Sequence, residues 1–310
     1  MTEIDRTAWL AERNRIPGVG GSEAAAAIGL LGSAARLELW ARKRGLLPPW
    51  EGNEAARWGL IHEENIAAEY AERTGYTVVR PIPMISRHPE RPWQFASLDR
   101  KATGPHRGEE NGGHWRNVQI KVASTREGWG EAGTDRIPER YYAQVQHEME
   151  VSGLRITDLP VLFQGTKLEI FTVEYHEEFC RLMTAKEAEF VGHLTAGTEP
   201  PIDYTDPDIA RLMRIIHEPD ASRACVLGTQ RDIELAEQWA GWDRECAARN
   251  STAKDAKEAR DAIEAQRIAR MGAAAVGHLA NGWRIERKAT HVVEKKVREY
   301  DRHYFEVKTS

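Results

Sequence analysis

The stretch NVQIKVAS, residues 117–124, decides how this chain is read. It reads as a short buried strand. Val118, Ile120 and Val122 point to one side, into a core, while Gln119 and Lys121, two residues apart, share the other. A strand with a lysine on its reactive face looks like part of a hydrolytic site, which normally wants a carboxylate two residues before the lysine. Here that position is the amide Gln119. The fold follows from the strand; the chemistry depends on what surrounds the amide.

Working outward, the first two-thirds of the chain alternate helix and strand signals. "GSEAAAAIGL" opens a helix with Ser22 as its expected N-cap, and "RLELWARKRG" is a second helix that ends at Gly45. "NEAARWGLIHEENIAAEYAERTG" is a long helix closed by Gly75. Strands are expected in "YTVVRPIPMIS", "WQFASLDRKA" and "WRNVQIKVA", the last two joined by the polar hairpin loop "TGPHRGEENGGH". "PERYYAQVQHEMEVSG" is a helix with Pro138 in its first turn. "LPVLFQGTKLEIFTVEY" is a hairpin turning at "QGT", and a helix from about His176 to Leu194 follows. The Pro- and Asp-rich segment 197–208 marks a boundary, giving a domain over 1–205 and an extension over 206–310. From about Thr229 to Met271 the extension is rich in Ala, Glu, Arg and Lys. With apolar positions sparse, it reads as a helical hairpin or arm more than a compact core, and the tail could add a short strand and a basic end.

Four groups carry the chemistry. Asp99 ends the apolar strand "FASLD". Gln119 and Lys121 lie on the next strand. Glu63 sits mid-helix with Gly59 and Ala67 one turn to either side, leaving room for a ligand. Gln144 shares a helix face with Tyr141, His147 and Glu148. Phosphodiester hydrolysis needs a hard cation held by one or two carboxylates and the substrate phosphate. The cation activates a water, and a nearby lysine orients it or neutralises developing charge. Asp99 and Glu63 would supply the carboxylates and Lys121 the cation, with Gln119 giving a carbonyl oxygen but no charge. Singly, a strand-end Asp is usually a turn residue, a strand Lys is usually solvated and a mid-helix Glu usually faces water; together, in this order on helix, strand, strand and helix, they point to one site.

Bulk properties fit a soluble enzyme. The 310 residues carry a net charge of −5, which argues against coating nucleic acid through bulk positive charge but not against a local basic groove. No run of about 18 apolar residues is present, so no membrane span is expected. The N-terminus is charged and lacks the apolar core of a signal peptide. The three cysteines, Cys180, Cys225 and Cys246, are scattered and form neither a disulfide framework nor a CxxC metal site, which points to a reducing cytoplasm. The ten tryptophans are expected in cores and interfaces.

With these residues in place, the chain resembles the lambda-exonuclease and YqaJ-type viral recombinase family of the PD-(D/E)XK nuclease superfamily. The opening helices "IPGVGGSEAAAAIGL" and "LELWARKRG", the "RWGLIHEENIAAEYAERTG" helix, then "SLD", "QIK" and "AQVQHEM", follow in the family's order over about residues 5–195. The resemblance implies an α/β core, a mixed central sheet flanked by helices, with a mostly helical C-terminal extension. It implies that Asp99 and Glu63 bind Mg²⁺, Glu63 directly or through water, with Mn²⁺ as a substitute. Gln119 occupies the second acidic position, with the backbone carbonyl of Ile120 beside it. Lys121 is the catalytic lysine, Gln144 the helix glutamine near the active site, and Arg15 and Ser22 the grip on a DNA phosphate. The helix start at Ser22 suits that role, since a helix N-terminus favours an anion, and equally suits a plain N-cap. The implied activity is exonucleolytic digestion of linear duplex DNA in phage-type recombination, by a ring-shaped homo-oligomer in a bacterial cytoplasm, with a single-strand annealing protein as partner. A ring needs basic charge only in its bore. Two alternatives stand beside this: an endonuclease on the same site, and a protein on a degenerate nuclease fold that only binds DNA. Leu98 replaces the proline of the family motif at no cost. Gln119 is read, in order of preference, as natural and tolerated, as an engineered change, or as degeneration.

Overall fold

The computed structural model describes residues 17–48, 52–104, 115–218, 220–248, 253–280 and 284–286. Arg15 and residues 105–114 of the expected hairpin loop lie outside them, as does Cys246 for its side chain. The chain divides into two compact units, Met1–Leu212 and Met213–Ser310.

The first unit opens with β1 (Val19–Gly20), a 3-10 turn (Gly21–Glu23), α1 (Ala24–Ala27), α2 (Ser33–Lys43) and α3 (Glu54–Thr74). Strands β2 (Thr77–Val79), β3 (Ser86–Arg87), β4 (Gln94–Ala96), β5 (Arg100–Thr103), β6 (Arg116–Val118) and β7 (Lys121–Ala123) follow. They lead to α4 (Glu139–Ser152), the hairpin β8 (Ile156–Phe163) and β9 (Lys167–Glu174), then α5 (Glu177–Ala196); α6 (Ile209–Ile216) spans the boundary at Leu212. α3 starts where Asn53 Oδ1 accepts the Ala56 N–H at 2.8 Å and stops at Gly75, whose φ of 71° suits a residue without a Cβ. Pro138 is the residue before α4 and not inside its first turn. Ser22 likewise lies within the 3-10 turn, so the expected N-cap role is corrected: Gly20 precedes the turn, and its N–H donates to Glu23 Oε2 at 2.8 Å.

The α/β core expected from the sequence is present. β6 and β7 lie end to end along one edge of β8, both parallel to it, and β9 covers the other edge antiparallel. β5 pairs antiparallel with β6, and β2 with β5. The sheet is therefore mixed, in the order β2, β5, β6/β7, β8, β9. One face packs Val118, Ile120, Ala102 and Leu168 against Ile66, Ala67 and Tyr70 of α3. The other packs Leu159, Val161, Phe171 and Val173 against Val145 and Met149 of α4. β1, β4 and β3 form a separate small sheet.

The expected strands are interrupted where the site forms. "WRNVQIKVA" splits into β6 and β7, and "WQFASLDRKA" into β4 and β5. The register pairs Arg100 with Val118, so the next rung would set residue 98 opposite 120. Instead the Asp99 carboxylate turns in, and its Oδ2 accepts the Ile120 N–H at 2.9 Å. The strand break is where a side chain has replaced a backbone rung.

Beneath the sheet, Asp158 is almost fully buried. It accepts from Tyr70 Oη at 2.5 Å, from Thr172 Oγ1 at 2.9 Å, and pairs with Arg116 at 2.8 Å. Removing one partner of a buried pair leaves the other uncompensated. Asp158→Ala is expected to cost about 3–5 kcal/mol, read as a lower urea midpoint at unchanged slope.

The second unit is mostly helical, as expected, but it has a small sheet and a core of its own where an arm was expected. It holds a three-stranded sheet, β10 (Asp220–Leu227) parallel to β11 (Ala274–Leu279), with β12 (Arg284–Glu286) antiparallel to β11, together with α7 (Gln230–Ala248) and α8 (Ala253–Met271). Leu227, Ala236, Met271, Leu279 and Ile285 form its core. β10 escaped notice because its sequence, DASRACVL, shows no clean alternation. The buried face of α8 uses Ile263, Ala265, Ile268 and Met271, and alanine does not read as core against an Ala-rich background.

Candidate active site

The site forms where β4 hands over to β5 and β6 to β7. Leu98 is buried with Ala96 and Val151, which anchors the turn and fixes Asp99 beside it. Burial pushes the Asp99 carboxyl up to about 6; Lys121 pulls against that shift and Glu63 adds to it. Asp99 thus feels the lysine on the α4 face and the glutamate on the α3 face together.

On the α4 face, Lys121 Nζ donates to Gln144 Oε1 at 3.1 Å and lies 5.0 Å from the centre of the Tyr141 ring. Gln144 Nε2 donates to Glu148 Oε1 at 2.8 Å, and Asn117 Nδ2 donates to Glu148 Oε2 at 2.8 Å. Gln119, between Asn117 and Lys121 in sequence, is held by its N–H donating to the Asp158 carbonyl at 2.9 Å. Its side chain is only 4% exposed, and its Oε1 has no hydrogen-bond partner among the described residues. A buried carbonyl oxygen left unpaired calls for a missing partner.

Glu63 is placed differently. Its Oε1 accepts from Arg100 Nη1 at 2.5 Å, and Arg100 also reaches Glu64 at 2.8 Å. The guanidinium, 3% exposed, ties β5 to α3. The space expected beside Gly59 is there, since a Cβ on it would meet nothing within 4 Å. Ser22 is exposed on its 3-10 turn.

The residue that sequence reasoning passed over is Glu148, noted only as sharing a face with Gln144. It is 1% exposed. Burial pushes its carboxyl up to about 7, with Lys121 opposing and the Asp99 charge reinforcing the rise. A Cβ on Gly21 would sit 2.8 Å from Glu148 Oε1, so the glycine lets the 3-10 turn close over the carboxylate. Position i+4 from Gln144 on a helix was the available signal. His147, by contrast, is structural: fully buried, it pairs through Nδ1 with Glu187 at 2.7 Å and through Nε2 with the Phe95 carbonyl at 3.0 Å.

Among the described residues no three His, Cys, Asp or Glu side chains are grouped to hold a metal ion on their own. The donors that fit a hard cation are the Asp99 carboxylate and the orphaned Gln119 oxygen. Mg²⁺ characteristically takes one or two carboxylates and completes its shell with water and substrate phosphate.

Residues 8–155 match the model of the YqaJ-like viral recombinase domain, a span that contains Glu63, Asp99, Gln119, Lys121, Gln144 and Glu148. The chain is 32% identical over 203 residues to the uncharacterized protein YqaJ of Bacillus subtilis (strain 168), covering 64% of this chain and 60% of that protein. Among solved structures, it is similar to the alkaline exonuclease LHK-Exo of Laribacter hongkongensis. The identity is 19% and the TM-score 0.48, over 62% of this chain and 93% of that one; the complex of LHK-Exo with dAMP gives 20% and 0.48. The resemblance to the YqaJ-type viral recombinase domain read from the sequence holds over these residues.

Proposed function

Starting from the YqaJ-like viral recombinase domain matched by residues 8–155, we propose that this protein is a Mg²⁺-dependent DNA nuclease that degrades linear duplex from its ends. The observation that supports this reading is that Asp99 bonds the Ile120 N–H and feels the Lys121 charge at the strand break that also contains Gln119, whose side-chain oxygen is buried and unpartnered among the described residues. Asp99 and Gln119 would hold the cation, with the Ile120 carbonyl beside them and Glu63 acting through water from its place against Arg100. When bound, Mg²⁺ or Mn²⁺ supplies Lewis-acid activation of water and phosphate. Lys121 orients the attacking water and offsets charge on the phosphorane oxygens. Gln144 holds the lysine. Arg15 and Ser22 grip the terminal phosphate. Residues 1–205 form the nuclease domain, and 206–310 clamp DNA or dock a partner. Double-stranded DNA is the substrate, a single-strand annealing protein the partner, a homo-oligomeric ring the assembly, and the cytoplasm of a phage- or prophage-bearing bacterium the setting. Among the described residues no helix is long and apolar enough to cross a membrane.

A second reading, a DNA-binding protein with a silent site, draws on Gln119 lacking charge and on Glu63 being paired with Arg100. Digestion of linear beside closed circular duplex in Mg²⁺ and Mn²⁺ separates these. Loss of linear DNA alone is the expected result. Cutting of circles would instead make the protein an endonuclease. Inertness of this chain with cleavage restored by Gln119→Glu would support the silent site.

A further inference from the structure

We infer that Glu148 is a positioning residue, which fixes the amide of Gln144 and through it the ammonium of Lys121. Four side chains form a continuous arch: Asn117 on β6, Glu148 and Gln144 on α4, and Lys121 on β7. Its feet stand on either side of the strand break that contains Gln119, so the arch clamps the two half-strands to one helix at the point where the sheet itself is interrupted.

The chemistry of the groups dictates the direction of each bond. A lysine ammonium has only donors and a carboxylate only acceptors. Gln144 lies between one of each, so only one orientation of its amide makes both bonds, with Oε1 toward Lys121 and Nε2 toward Glu148. Remove the carboxylate and one of those bonds is lost; the amide then turns freely, and when its NH₂ faces the ammonium the lysine has no acceptor. Glu148 is itself immobilised from the strand side by Asn117 Nδ2 at 2.8 Å and from above by the close approach of Gly21. Lys121, Asp99 and His147 are the titratable groups coupled to its charge, and no ion-pair partner of its own is found among the described residues. A carboxylate buried to this extent is costly to keep unless it does something. A second acid near Lys121, four residues beyond Gln144, also returns negative charge to a site from which Gln119 has removed it.

The inference rests on the nuclease reading for its kinetic test and is independent of it in its spectroscopic one. Glu148→Ala, Gln144→Ala and the double variant are compared on linear duplex with Mg²⁺. Each single change is expected to lower kcat on the order of 10–100-fold with KM for DNA little altered. The double variant is expected to be no worse than the more damaged single one, because the two residues act as a unit. Glu148→Gln is expected to recover much of the loss: its oxygen can accept from Gln144, and a turned Asn117 can offer its unpartnered Oδ1 to the new NH₂. Multiplying losses in the double variant, or wild-type kcat in Glu148→Ala, overturns the inference. Independently of activity, the Lys121 side-chain signal in lysine-labelled NMR spectra, assigned with Lys121→Arg, is expected to move in Glu148→Ala and stay near its wild-type position in Glu148→Gln. An unmoved signal in Glu148→Ala overturns the inference. If the wild-type protein cuts nothing, the nuclease reading fails and this signal alone decides. Should Glu148→Ala not fold, Glu148→Asp, too short to reach both amides, takes its place with the same expected shift and loss.

Discussion

Asp99→Ala is expected to reduce cleavage of linear duplex DNA on the order of a thousandfold while leaving a folded protein. Asp99 joins the two faces of the site: it accepts from Ile120 N–H at 2.9 Å, and both Lys121 and Glu63 act on it electrostatically. With Gln119 uncharged, no neighbouring acid on the strand can take over its charge. The structural loss is smaller. An Ile120 N–H left without an acceptor costs about 1–3 kcal/mol, and removing a buried, poorly solvated carboxylate returns part of that. Asp99→Asn, which keeps an acceptor for the N–H, is expected to be as inactive as the alanine variant and more stable than it. Single-turnover digestion beside urea unfolding checks both. Gln119→Glu is the converse experiment. It supplies a second charged ligand and is expected to tighten Mg²⁺ binding, yet to destabilise the metal-free protein, because a new acid would be buried near Asp99 and Glu148. A variant that gained metal affinity at no cost in metal-free stability would show that position 119 is better solvated than its 4% exposure indicates.

The parts of this molecule that were legible in the sequence are those set by short-range rules. Asn53 and Gly75 delimit α3, Gln164 and Gly165 turn the β8–β9 hairpin with φ of 50° and 71°, and the apolar face of Val118 and Ile120 is buried as its alternation requires. What could not be read depends on long-range competition. Nothing local to "FASLD" says that the Asp99 carboxylate will replace a backbone rung 21 residues away in sequence, so two expected strands each break in two. Arg100 follows Asp99 directly, but its pairing with Glu63 and Glu64 exists only once α3 lies over the sheet. Glu148 was visible as a helix neighbour of Gln144, but its near-total burial against Asn117 and Gly21 was not. In the second unit, β10 and the alanine-lined face of α8 carry too little hydrophobic contrast for periodicity to expose them.

Folding stability at rising pH gives the other large effect. The Glu148 carboxyl is pushed up by burial from its ordinary 4.5 to about 7. A group whose pKa is raised by folding holds its proton more tightly in the native state. Its contribution is therefore fully present below the unfolded value and is lost as pH climbs through the folded one. The window runs from about pH 4.5 to about pH 7. At about 1.4 kcal/mol per unit, ionisation of Glu148 removes up to about 3 kcal/mol across it. Asp99, pushed from 3.8 to about 6, acts in the same direction over a slightly lower window. The Asp99 charge is part of what raises Glu148, so the two losses do not simply add. His147 is raised by Glu187 and Glu148 against the effect of its burial, and it too favours the native state at lower pH. The informative quantity is accordingly the difference between wild type and Glu148→Gln, which cannot ionise. Urea midpoints at pH 4 to 8 are expected to fall for the wild type and to fall much less for Glu148→Gln, so that the variant becomes the more stable protein near pH 8. Mg²⁺ binds the deprotonated site and competes with protons for it. It is therefore expected to raise the wild-type midpoint at pH 8 and to have little effect at pH 5. Parallel curves for wild type and variant would mean that Asn117, Gln144 and Lys121 already compensate the Glu148 charge in full. In that case the arch would hold an ordinary carboxylate rather than one poised near neutral pH.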